Sequence, residues 1–91
     1  MKRLRLQVFG RVQGVGFRYA CYRQACSLGL TGWVRNLPDG SVEIVAEGPS
    51  AALQSFGTWC RHGPTFADVG RVTETSEPAL GEFTSFEIKD G

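Results

Sequence analysis

Histidine and cysteine are scarce, and several chemistries go with them. The chain has one histidine, His62, and three cysteines, Cys21, Cys26 and Cys60. An odd cysteine count with no C-x-x-C pair argues against a disulfide framework and against a zinc site, so no metal is expected. It fits a reducing, cytoplasmic setting. No carboxylate cluster appears that would hold magnesium. Excess charge is missing as well: ten Lys and Arg against nine Asp and Glu leave a net charge of +1. No global field therefore points to nucleic acid or a membrane surface, and any anion site must be local. Nor is there an apolar block after Met1-Lys2-Arg3. Neither a signal peptide nor a membrane span is expected.

What remains is ordinary globular composition, 42% hydrophobic and 21% charged over 91 residues. That predicts one domain spanning residues 1–91 with a single core. Leu4, Leu6 and Val8 alternate with Arg3, Arg5 and Gln7, which predicts a first strand over 3–9. Phe17, Ala20, Cys21, Ala25 and Leu28 recur at helical spacing, and Gly29 is a helix stop. Residues 30–36 and 41–47 read as a hairpin closed by Leu37-Pro38-Asp39-Gly40. Leu53, Phe56, Trp59 and Cys60 mark a second helix, interrupted by Gly57 and ended by Gly63-Pro64. A fourth strand is expected over 66–75, where Gly70 signals a bulge or a close approach, then a polar loop over 76–82 and a short strand over 83–88. The order predicts an α+β fold: a ferredoxin-like split β-α-β sandwich, an antiparallel sheet with both helices on one face. Trp33 and Phe66 are expected in the core, and Arg11 and Arg35 in solvent.

The chain turns on Gly10-Arg11-Val12-Gln13-Gly14-Val15-Gly16-Phe17-Arg18, which joins the first strand to the first helix. It holds three glycines, two arginines and no acid. Glycines allow positive φ and close approach, so successive amides there can cradle an anion, aided by the helix start. Arg18 would grip the same oxyanion. The plain alternative is a Gly-rich turn with Arg18 in water. The stretch is not a P-loop, which needs a Lys-Ser/Thr pair after its last glycine, nor a dinucleotide fingerprint, because Tyr19 stands where that motif needs glycine. The loop lacks a cysteine, so a covalent cysteinyl phosphate is not expected. Amides plus one guanidinium suffice for an acyl phosphate, whose leaving group is already good. Asn36, at the end of the second strand, is the candidate to aim a water, or else an ordinary turn residue.

Residues 10–18 resemble the first signature of the acylphosphatase family, and Gly32-Trp33-Val34-Arg35-Asn36-Leu37-Pro38-Asp39-Gly40-Ser41-Val42-Glu43 resembles its second. The likeness continues through Leu28-Gly29-Leu30, Gly63-Pro64 and Phe86-Glu87-Ile88. It implies a small monomeric hydrolase that splits carboxyl-phosphate anhydrides without metal or cofactor. It implies Arg18 as the phosphate-binding arginine and Asn36 as the residue orienting water. The loop amides of Gln13, Gly14, Val15, Gly16 and Phe17 would complete the cradle. Inorganic phosphate would be product and competitive inhibitor, with no nucleic-acid or membrane partner. Two rivals stand beside this. One is a non-catalytic RNA-binding module using Phe9, Trp33 and Phe66 as stacking platforms, although an RNP1-type run is missing. The other is a domain of a larger carbamoyl-phosphate-handling enzyme, which the short chain argues against.

Overall fold

The computed structural model describes residues 1–90. In chain order the elements are β1 (Lys2–Arg11), α1 (Phe17–Ser27), β2 (Thr31–Asn36), β3 (Val42–Gly48), α2 (Ser50–Cys60), β4 (Asp68–Pro78) and β5 (Phe86–Lys89). The five strands form one sheet in the order β4-β1-β3-β2-β5. Alternation decides its two faces. Leu4, Leu6 and Val8 pair with Ala46, Ile44 and Val42 of β3, and all six are buried beneath the helices. Phe17, Cys21 and Ala25 of α1 and Leu53, Phe56 and Cys60 of α2 close the core from above. Burying a side chain the size of Phe17 or Phe56 is worth about 1.5–3 kcal/mol.

The sheet is mixed, where the sequence predicts an antiparallel one. β5 runs parallel to β2, with Gly32 opposite Phe86 and Val34 opposite Ile88. Geometry requires it. β4 ends where β1 begins, at Pro78 opposite Lys2, and β2 also begins at that end of the sheet. The short link 79–85 can reach only the near end of β2, so β5 must start beside β2's start.

That link crosses over a buried ion pair. Arg3 Nε donates to Glu47 at 2.8 Å, and the amides of Leu80 and Gly81 donate to the same carboxylate at 2.9 and 3.0 Å. Arg3 also reaches Glu82, and its guanidinium lies 5.2 Å from the Phe83 ring centroid. Alternation puts Arg3 on the outer face, yet it is buried at 7% exposure because the link covers it. Burial pushes the Glu47 carboxyl up, but the two amides and the guanidinium outweigh it and hold the carboxyl below its ordinary range.

Other boundaries shift for local reasons. β4 runs to Pro78, into the stretch 76–82 expected to be loop, because β1 offers pairing partners as far as Lys2. Register slips between Phe9 and Gly10, where Gly70 is the extra residue, so the expected bulge is present. Gly57 is buried. A Cβ there would meet Glu74 Oε1 at 3.2 Å and Leu4 Cδ2 at 3.5 Å, so the residue that weakens α2 also lets it approach the sheet. Phe66 is not core: it is 80% exposed, turned outward where the Ala67 amide folds back to Pro64 O at 3.0 Å. Trp33 is half-buried on the outer face, with the charged ends of Arg35 and Lys89 each 5.0 Å from its ring centroid. Arg11 is exposed as expected, but Arg35 is paired with Glu43 at 2.6 Å.

Candidate active site

Both ends of the loop between β1 and α1 are pinned by burial, Val12 at one end and Phe17 at the other. Between them Gly14 and Gly16 hold φ of 75° and 81°. An L-residue pays about 1–2 kcal/mol to adopt that conformation, which is why glycine recurs here. Val15 packs partly against the core. Gln13 reaches across to the next turn, and Nε2 donates to Leu37 O at 2.8 Å and Ser41 O at 2.9 Å. The loop is thereby stitched to the β2–β3 turn. That turn is itself held: Asp39 accepts from the Ser41 amide at 2.9 Å and from its hydroxyl at 2.5 Å. The Ser41 hydroxyl, then its amide, hold the Asp39 carboxyl below its usual range.

The helix start supplies the positive end. Gly16 caps α1 without a side-chain bond, and the first turn holds no acid. Ala20 is the first helical residue whose amide donates into the loop, to Gly16 O at 3.1 Å. The amides of Phe17, Arg18 and Tyr19 are the unclosed N–H groups of a helix start, where the macrodipole favours an anion. Arg18 projects from this first turn, and Nη1 donates to Lys89 O of β5 at 3.0 Å. Asn36 ends β2 opposite Val42, on the helix-facing side of the sheet. Its Oδ1 is buried and meets no donor among the described residues. Gly14, Gly16, Phe17, Arg18 and Asn36 line one open cleft of about 230 Å³.

A family model for acylphosphatases matches residues 4–88. The chain belongs to the acylphosphatase family. It is 50% identical to an acylphosphatase of Methylococcus capsulatus over 97% of this chain and 96% of that one. Its fold is similar to the crystal structure of an acylphosphatase from Bacillus subtilis, with a TM-score of 0.94 and 45% identity over 98% of this chain and 99% of that one. It is also similar to part of a T. kodakarensis HypF structure, with a TM-score of 0.84 and 35% identity, covering all of this chain and 12% of that one. The chain is thus an enzyme of the acylphosphatase family with a ferredoxin-like fold.

Within this acylphosphatase-family fold, the residues expected at the site divide into two groups. Arg18, Asn36, Gly14, Gly16 and Phe17 face one cleft. Gln13 and Val15 do not line it with their side chains. They fix the loop instead, one to the neighbouring turn and one to the core. Four contributors escape a reading of the sequence. The Lys89 carbonyl that orients Arg18 lies 71 residues away in the chain, and no local pattern announces it. The side-chain bonds of Gln13 span 24 and 28 residues. Tyr19 and Ile88 also line the cleft. The sequence presents Ile88 only as a strand residue and Tyr19 only as a break in a glycine motif. Among the described residues no group of three or more His, Cys, Asp or Glu is placed to hold a metal ion, and no helix is long and apolar enough to cross a membrane.

Proposed function

We propose that the chain is a single acylphosphatase-like domain that hydrolyses the carboxyl-phosphate bond of small acyl phosphates, giving carboxylate and inorganic phosphate. The phosphoryl group sits against the amides of the 13–17 loop and the start of α1, with Arg18 neutralising its oxygens. A water hydrogen-bonded to the Asn36 side-chain amide at the cleft is turned with its lone pair toward phosphorus. As the water attacks, its oxygen bonds to phosphorus and both its protons stay with the product phosphate, while the bond from phosphorus to the acyl oxygen breaks in line and the carboxylate leaves with the electron pair. Its low basicity makes acid catalysis unnecessary, so positioning and charge stabilisation carry the barrier. No metal or cofactor enters these steps. The reading includes a monomer in the cytoplasm and competitive inhibition by inorganic phosphate.

The single observation that supports it is the shared cleft: Gly14, Gly16, Phe17 and Arg18 from the loop and helix start and Asn36 from the end of β2 line one opening. The RNA-module rival is weaker: Phe66 lies off the sheet, and Trp33 and Phe9 already carry the side-chain cations of Arg35, Lys89 and Arg71. The test is benzoyl phosphate hydrolysis, followed by ultraviolet absorbance with a chelator present and inorganic phosphate titrated in. Turnover that survives the chelator and falls competitively with phosphate supports the proposal. A folded chain with no turnover overturns it.

A further inference from the structure

The phosphate end of the cleft is polar, but its rim is not. Tyr19 and Ile88 both line it and are among the large apolar side chains left exposed, at 59% and 42%. They flank the Arg18 anchor on both strands of chain: Tyr19 follows Arg18 in α1, and Ile88 precedes the Lys89 whose carbonyl holds it. Tyr19 is braced at this position. Its ring lies 6.3 Å from Tyr22, stacked at 28°, and the Arg23 guanidinium is 6.0 Å from its centroid. Ile88 is set by its pairing opposite Val34, which puts it on the helix-facing side of the sheet. A second recess beside Arg18 and Asn36 is lined by Leu37, Pro38 and Asp90, and an acidic residue is a poor neighbour for an apolar group.

We infer that Tyr19 and Ile88 form an acyl-binding shelf, and that it selects acyl phosphates with an aromatic or branched apolar acyl group over those with a small polar one. The inference rests on the proposed phosphate site and adds the substrate class to it. An acyl group leaving from phosphorus extends toward the rim, and burying its apolar surface against a ring and a branched chain favours the larger group.

The test compares kcat/KM for benzoyl phosphate and acetyl phosphate in the parent, Tyr19→Ala, Tyr19→Phe and Ile88→Ser. A melting curve is taken for each. The parent prefers benzoyl phosphate, Tyr19→Phe keeps that preference, and Tyr19→Ala and Ile88→Ser each lower the benzoyl-to-acetyl ratio by about tenfold, as expected for one apolar contact. If one variant unfolds, the other decides. A ratio unchanged in both folded variants overturns the shelf, and so does a ratio that moves instead with Leu37→Ala. No hydrolysis of either substrate by the parent overturns the underlying phosphate-site proposal instead.

Discussion

Arg18 donates from Nη1 to the carbonyl oxygen of Lys89 at 3.0 Å, tying the start of α1 to the end of β5. One N–H of the guanidinium fork is thereby committed, on a residue that also lines the cleft. A lysine carries the same charge but has no fork to be held by one prong while the others grip. Both Arg18→Lys and Arg18→Ala should therefore lower kcat/KM for benzoyl phosphate by at least about a hundredfold, the range for losing one preorganised donor. Calorimetric titration with inorganic phosphate should show weakened binding in both.

The relationship depends on β5 lying beside β2, where Gly32 stands opposite Phe86 on one side and packs tightly against β3 on the other. Its φ is +139°, and a Cβ there would stand 1.9 Å from Val45 O. Only backbone movement in the middle of the sheet relieves such a contact. Gly32→Ala should cost about 3 kcal/mol or more, through strain at a special φ combined with overpacking. A urea melt should show this as a lower midpoint, or as no folded baseline at all.

Acid should act on the fold through Glu47, whose carboxyl joins Arg3 to the link that leads into β5. Its pKa is lower in the folded chain than in the unfolded one. The stability it contributes is therefore complete above the unfolded value, about pH 4.5, and is lost as pH falls through the folded value. Glu47→Gln should be less stable than the parent by about 3 kcal/mol at pH 7, since it strips a buried guanidinium of its closest partner. The gap should narrow below about pH 4.5 as the parent's own carboxylate is protonated. Thermal melts of both proteins from pH 3 to 7 check the direction. A gap that widens in acid contradicts it.

Thiol chemistry should be confined to one position. Cys26 is exposed, whereas Cys21 and Cys60 are buried in the core. Burial, then the neighbouring Cys60 thiol, push the Cys21 thiol up, so little thiolate forms there. A maleimide at neutral pH should label the native chain at Cys26 alone and reach the other two only in denaturant. Peptide mass mapping distinguishes the sites.

Much of this is legible in the residues. Alternation in Leu4-Arg5-Leu6-Gln7-Val8 and the turn at Leu37-Pro38-Asp39-Gly40 fix local structure, because a period of two and a proline-led turn are short-range facts. The glycines at 14 and 16 and the arginine at 18 mark the loop that lines the cleft for the same reason. What alternation misreads is Arg3: as an outer-face residue it reads as solvated, and only the link 79–85 folding over it makes it buried. The parallel β5, the outward Phe66 and the Lys89 carbonyl likewise depend on where distant segments meet. No pattern within one element carries that information.

The role given to Asn36 is tested most directly by one comparison: the kcat for benzoyl phosphate and the inhibition constant of inorganic phosphate in the parent and in Asn36→Ala, with chelator present. Asn36 Oδ1 has no donor among the described protein groups, so its removal breaks no protein hydrogen bond through that atom, and the variant should melt like the parent. The account predicts a loss of kcat of at least about a hundredfold, the cost of removing one preorganised positioning group, with phosphate inhibition little changed. A folded Asn36→Ala that turns over at the parent's rate, or that loses phosphate affinity as much as turnover, would contradict it.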